Sequence, residues 1–127
     1  MTPAQILVVE DNKKNMKLFR DVLQVTGYRT LEATTGGRAV ELATEHRPDL
    51  VLMDIQLPDI DGVEALGRLR ADERTASLPV LALTAQAMEG ERERFLAAGF
   101  DGYLSKPVNI PDFVATVKRY CEGAIDD

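Results

Sequence analysis

The chain has 127 residues, of which 45% are hydrophobic and 28% are charged, a composition typical of one compact globular domain. The net charge of −6 argues against a nucleic-acid partner, because binding to phosphates requires a basic surface. No apolar run approaches the roughly 20 residues of a membrane span, so we expect no membrane partner either. The single cysteine, Cys121, leaves no internal disulfide and predicts a cytoplasmic location.

Short apolar runs alternate with amphipathic stretches along the chain. The first strand is predicted at residues 6–9, and a helix at 13–25 follows it and ends at Gly27. The same alternation predicts strands at 28–33, 49–53, 79–83 and 102–104. Helices are predicted after Gly37 and at residues 63–70, 88–98 and 110–122.

Strict alternation of strands and helices predicts an α/β fold with right-handed βαβ units. Five such units in a short chain favour a doubly wound five-stranded parallel sheet with the flavodoxin-like order 2-1-3-4-5. Ligands bind to such sheets at the carboxyl ends of the strands, where the winding reverses between strands one and three. Glu10 and Asp11 follow the first strand and Asp54 ends the third, so the three carboxylates should converge there.

Three adjacent carboxylates repel one another unless a cation joins them, and their hard oxygens suit Mg²⁺. The alternative is that each acid is an ordinary loop residue that caps a helix or faces water. Thr84 and Lys106 follow strands four and five and should reach the same edge of the sheet. Either residue alone would be unremarkable, but the set contains a carboxylate nucleophile, a divalent metal, a hydroxyl and a cation. Those are the parts needed for phosphoryl transfer.

Four segments carry a resemblance to a known family. VVEDN at residues 8–12, LMDIQLPDIDG at 52–62, LALTA at 81–85 and YLSKP at 103–107 resemble the CheY-like receiver domain of response regulators. The similarity covers essentially the whole chain. VEDNKKNMKLF and TAQAMEGERERF are most similar to single-domain regulators of the DivK type, although receiver domains of hybrid histidine kinases often read similarly.

The resemblance implies a role for each residue of the metal site. Asp54 would be the phosphoacceptor and a metal ligand, and Asp11 would bind Mg²⁺ directly. Glu10 would act mainly through metal-bound water, and its identity departs from the aspartate that is frequent in the family. Gln56 would contribute its backbone carbonyl.

The resemblance also implies the residues that bind and sense the phosphoryl group. Thr84 would donate its hydroxyl to a phosphoryl oxygen and Lys106 would pair with another. Tyr103 would turn inward when Thr84 moves. The alternative is that its half-buried ring only packs against its neighbours. Pro107 would follow a cis peptide bond.

The function that the resemblance implies is a two-component response regulator. Asp54 would accept a phosphoryl group from a sensor histidine kinase or a histidine phosphotransfer protein. A downstream protein would then bind the surface of helix four, strand five and helix five. We expect residues 1–127 to form a single receiver domain without an output domain. It would catalyse its own phosphorylation and slow autodephosphorylation, but it would not be an enzyme with a separate substrate.

Several alternatives stay open at this point. The chain could be the receiver domain of a hybrid histidine kinase or a phosphorelay intermediate, or a phosphate-independent interaction module. A module of that kind usually lacks one of the acids, the threonine or the lysine, and all are present here. A flavodoxin-like phosphatase would need an acid two residues after its nucleophile, where this chain has Gln56. Flavin binding would need a hydroxyl-rich loop after the first strand, where the chain reads VEDNKK.

Overall fold

Five strands alternate with five helices in a computed structural model that describes residues 3–85 and 90–122. The strands are β1 Gln5–Val9, β2 Arg29–Ala33, β3 Leu50–Asp54, β4 Val80–Thr84 and β5 Gly102–Ser105. The helices are α1 Lys13–Thr26, α2 Gly36–His46, α3 Gly62–Ala71, α4 Glu91–Ala98 and α5 Ile110–Glu122. None of these helices combines the length and apolar character needed to cross a membrane.

The strands form one parallel sheet in the order β2-β1-β3-β4-β5, as predicted. The register aligns their carboxyl ends, because Val9 pairs with Met53, Asp54 with Leu83 and Thr84 with Ser105. The residues that follow β1, β3, β4 and β5 therefore emerge at one edge of the sheet. The predicted metal ligands and phosphoryl-binding residues lie at this edge, namely Glu10, Asp11, Asp54, Gln56, Thr84 and Lys106.

The core has two layers, one on each face of the sheet. Every residue of β3 and β4 is buried, as expected for central strands that helices cover on both sides. On one face α1 and α5 pack over the sheet, and their Phe19 and Phe113 rings stack with centroids 5.4 Å apart. On the other face the layer includes Leu42 of α2, Leu66 of α3 and Phe95 of α4. Burial of each such side chain stabilises the fold by about 1.5–3 kcal/mol.

Capping residues explain where several of the helices begin and end. Gly27 adopts a left-handed conformation at φ 110°, and its N–H donates to the carbonyl oxygens of Leu23 and Gln24, so α1 ends as predicted within one residue. Most other boundaries agree or differ by one residue, with β3 and β4 extending to include Asp54 and Thr84. The second helix was predicted to begin after Gly37 but begins at Gly36, because Thr35 caps it by accepting from the Arg38 N–H. The fourth helix begins at Glu91, after Gly90, rather than at residue 88; residues 88 and 89 lie outside the described ranges.

Candidate functional site

Three carboxylates meet at the carboxyl edge of the sheet. Glu10 follows β1 and is 1% exposed, and Asp54 ends β3 and is 4% exposed. Asp11 is exposed at the mouth of the site. One carboxylate oxygen from each of the three residues lies within 4.8 Å of the others. This confirms that the topology brings together acids that are far apart in sequence.

Lys106 bridges the two buried carboxylates. Its Nζ lies 3.0 Å from Glu10 Oε1 and 3.0 Å from Asp54 Oδ2. The lysine follows β5, and its backbone N–H donates to the carbonyl oxygen of Thr84 over 2.8 Å. The peptide bond between Lys106 and Pro107 is cis, as the resemblance implied. Thus Lys106 reaches across β4 to the ends of β1 and β3.

Burial and charge shift the pKa values at this cluster. Burial is the main cause of the raised pKa of Glu10, and its hydrogen bond with Asp54 adds to the rise. Burial lowers the pKa of the Lys106 ammonium, but its hydrogen bonds to Asp54 and Glu10 outweigh that effect and leave the pKa raised. Lys106 is therefore positively charged at neutral pH. The crowded carboxylates repel one another, and a further cation would reduce that repulsion.

The donor set fits a small hard cation. Carboxylate oxygens on two neighbouring strands, one of them at the exposed mouth, are the ligands that Mg²⁺ prefers, and the open side leaves room for its retained waters. The Gln56 N–H donates to Asp54 Oδ1 over 3.0 Å and so orients the carboxylate. The acidic cluster of Glu10, Asp11 and Asp54 is thus able to bind a metal.

A cavity of about 200 Å³ opens beside Asp54. Thr84 lies on its wall with 6% of its surface exposed, so both the Thr84 hydroxyl and the Asp54 carboxylate belong to residues that line this cavity. The full lining consists of Asp54, Ile55, Gln56, Thr84, Ala85, Arg94 and Lys106. Arg94, on α4, is a cation at this site that the sequence motifs did not single out.

The loop between β3 and α3 is held in place by residues of the 52–62 segment to which the sequence analysis assigned no role. Asp59 accepts hydrogen bonds from the Gly36 and Gly37 N–H groups, at 2.8 and 2.9 Å, which ties the loop to the start of α2. Asp61 caps α3 by accepting from the Glu64 N–H over 2.8 Å. A Cβ on Gly62 would lie 2.5 Å from the backbone oxygen of Asp54, so no side chain fits there. The order Asp, Gly before an amphipathic helix could have indicated the cap, but not the contact with α2.

Tyr103 lies on β5 with its side chain half-buried. Its ring centroid lies 5.9 Å from that of Phe95 on α4. This contact joins α4 to β5 on the face where the resemblance placed a regulated surface. His46 is exposed at the end of α2, away from the acidic cluster.

Comparison with known proteins gives the family. The family model described as the response regulator receiver domain matches residues 6–118. The chain belongs to the response-regulator receiver family. Receiver domains of this kind act in two-component signalling, where they interact with histidine kinases or phosphotransfer proteins and with downstream targets.

The curated relatives of this receiver domain include the polar-differentiation response regulators DivK of Brucella. The protein from Brucella anthropi is 48% identical over 122 residues, which is 96% of this chain and 99% of the relative. The protein from Brucella ovis is 48% identical over 119 residues, which is 94% of this chain and 97% of the relative. The similarity to DivK regulators expected from the sequence is therefore confirmed.

Solved structures support the same assignment. The receiver domain of sensor histidine kinase PA1611 from Pseudomonas aeruginosa has a TM-score of 0.88 and 37% identity, covering 96% of this chain and all of that one, and it holds a magnesium ion in its active site cleft. The chemotaxis response regulator CheY4 of Vibrio cholerae has a TM-score of 0.88 and 28% identity, covering 94% of this chain and 99% of that one. The predicted flavodoxin-like receiver fold is confirmed.

Proposed function

We propose that this receiver domain accepts a phosphoryl group on Asp54 from the phosphohistidine of a sensor histidine kinase or phosphotransfer protein. The observation that carries the proposal is the placement of Asp54: a carboxylate at the end of a buried strand, bridged to Lys106 and beside two further acids. A carboxylate so placed is oriented, partly desolvated and next to groups that stabilise added negative charge. The cavity beside it gives the donor access.

In the transfer step, an Asp54 oxygen attacks phosphorus and the bond from phosphorus to the histidine nitrogen breaks. The electron pair of that bond stays on the imidazole, and Asp54 becomes an acyl phosphate. Mg²⁺, held by Glu10, Asp11, Asp54 and the backbone carbonyl of Gln56, would supply charge neutralisation. Lys106, already 3.0 Å from Asp54 Oδ2, would donate to one phosphoryl oxygen and Thr84 to another. The same site would hydrolyse the acyl phosphate slowly, with no separate turnover substrate.

Phosphorylation would change the surface formed by α4, β5 and α5, which we propose as the binding site for a downstream protein. A shift of Thr84 toward the phosphoryl group vacates space near Tyr103, and the contact between Tyr103 and Phe95 links that space to α4. A downstream partner then shifts the equilibrium by its differential affinity for the phosphorylated state. Tyr103→Ala should reduce the phosphorylation dependence of partner affinity, measured by calorimetric titration against the phosphorylated and unphosphorylated domain. Equal dependence in this variant and the wild type would disprove the switch role.

The test of phosphoacceptance is intact mass after incubation with Mg²⁺ and acetyl phosphate. We expect a single phosphoryl adduct that alkali removes and that Asp54→Asn abolishes. Asp21→Asn is the matched control, because Asp21 is a half-buried acid on α1 that pairs with Lys17 and does not line the cavity. An adduct that persists in Asp54→Asn would place the acceptor elsewhere. No wild-type adduct from acetyl phosphate or from a phosphohistidine donor would favour the phosphate-independent module.

A further inference from the structure

The cavity beside Asp54 has cations on two sides. Lys106 enters from the loop after β5, and Arg94 enters from α4. Both line the same cavity of about 200 Å³ as Asp54 and Thr84. We propose that the Arg94 guanidinium binds the phosphoryl group on Asp54 and thereby couples phosphorylation to the position of α4. This inference rests on the proposed function of Asp54.

Charge balance favours a second cation once the phosphoryl group is present. The carboxylates of Glu10, Asp11 and Asp54 are balanced by Lys106 together with one divalent metal. An acyl phosphate dianion has about two negative charges where the Asp54 carboxylate had one, so one negative charge is left without a counterpart. The Arg94 guanidinium supplies the balancing positive charge, and its planar fork can donate to two phosphoryl oxygens at once.

The neighbour of Arg94 on α4 packs at the surface that we propose changes on phosphorylation. Its neighbour Phe95 is 1% exposed and is the one buried side chain among residues 93–98 of α4. The Phe95 ring lies 5.9 Å from the Phe100 ring and 5.9 Å from the Tyr103 ring. The Arg94 guanidinium carbon lies 5.4 Å from the Phe95 ring centroid. If the Arg94 guanidinium moves toward the phosphoryl group, it should therefore alter the contact between the Phe95 and Tyr103 rings, which joins α4 to β5.

The experiment measures binding of beryllofluoride, a tetrahedral mimic of the phosphoryl group, at saturating Mg²⁺ by fluorine NMR. We expect Arg94→Gln to bind it about tenfold more weakly than the wild type, as for loss of one charge-assisted hydrogen bond. Arg94→Lys, which keeps the charge but loses the fork, should fall between them. The lifetime of the acyl phosphate and the affinity for Mg²⁺ alone are measured in parallel, and the affinity for Mg²⁺ alone should be unchanged.

Arg68→Gln is the matched control, because Arg68 is an exposed cation on α3 that pairs with Glu64 outside the cavity. Its beryllofluoride affinity should equal that of the wild type. Equal losses in Arg68→Gln and Arg94→Gln would show an effect of net charge and overturn the assignment. Wild-type affinity in Arg94→Gln, in a domain that does form the Asp54 adduct, would overturn the Arg94 role and leave the proposed function intact. A wild type with neither adduct nor beryllofluoride binding would overturn both.

Discussion

At the scale of single residues, Lys106 is the cation that compensates the two buried carboxylates of the site. Its Nζ is 3.0 Å from an oxygen of each buried carboxylate, and its side chain is only 16% exposed. Removing one partner of a buried ion pair leaves the other charge without compensation, which costs more than the pair itself contributes. Lys106→Met should therefore lower the free energy of unfolding of the metal-free domain by about 2 kcal/mol, measured by urea denaturation at pH 7.

The double variant Glu10→Gln/Lys106→Met separates repulsion from lost packing. Once Glu10 is neutral, Asp54 is the one buried carboxylate left in the trio, so most of the stability lost in Lys106→Met should return. Mg²⁺ should also recover part of the loss, because it takes over the neutralising role. A double variant no more stable than Lys106→Met would show that the lysine stabilises the fold by packing rather than by charge.

Asp59 gives a prediction of pH dependence at the same scale. Hydrogen bonds from the Gly37 and Gly36 N–H groups lower the pKa of its carboxyl from 3.8 to about 2. Because the pKa is lowered by folding, the contribution of this group to stability is present above pH 3.8 and is lost as the pH falls through about 2. Asp59→Asn should be less stable than the wild type at pH 7, and the difference should shrink between pH 3.8 and about 2. Urea denaturation across this range measures it; a constant difference would contradict the assignment.

At the scale of elements, the loop from β3 to α3 fixes the position of the Asp54 backbone. Gly62 begins α3 where a Cβ would lie 2.5 Å from the Asp54 oxygen and 2.9 Å from the Ile55 Cα, both backbone atoms that cannot yield. Gly62→Ala should destabilise the domain by about 2 kcal/mol and slow phosphorylation by acetyl phosphate, because Asp54 must shift. Stability is measured by urea denaturation and phosphorylation by intact mass.

Gly67, in the same helix, is the matched control. It is exposed, and a Cβ added there would meet no atom within 4 Å beyond its chain neighbours and the backbone of its own helix, so Gly67→Ala should stabilise α3 by about 0.5–1 kcal/mol. The two substitutions make the same chemical change in one helix with opposite expected signs. Equal effects would mean that helix propensity, rather than the approach of the backbone to Asp54, governs both positions.

Elements were predictable where the pattern is local, and less so where the partner is distant. The apolar run of β3 and the capping glycine of α1 sit in contiguous sequence, and both were predicted within one residue. The contact of Asp59 with α2 joins residues 22 and 23 positions apart, and no local pattern encodes it. Arg94 was missed for the same reason: its place on the cavity wall depends on how α4 packs, through Phe95, against the sheet.

At the scale of the whole molecule, the strand order brings the three acids together. The topology could be predicted because strict βα alternation in a chain this short leaves few arrangements. The convergence of Glu10, Asp11 and Asp54 followed from it and is confirmed, whereas the roles assigned to those residues stay predictions. The single-domain organisation and the cytoplasmic location also stay predictions.

Metal binding should therefore depend on, and stabilise, the folded state as a whole. Asp11 and Asp54 lie at the ends of separate strands and meet through the β1–β3 pairing, so the unfolded chain has no site of comparable affinity. Mg²⁺ at 100 times its dissociation constant should raise the free energy of unfolding by about 2.7 kcal/mol. Asp11→Asn should remove most of this gain, while Asp21→Asn, on α1 and outside the acidic cluster, should keep it. Thermal unfolding with and without Mg²⁺ measures both; a gain that Asp11→Asn retains in full would place the metal elsewhere on the molecule.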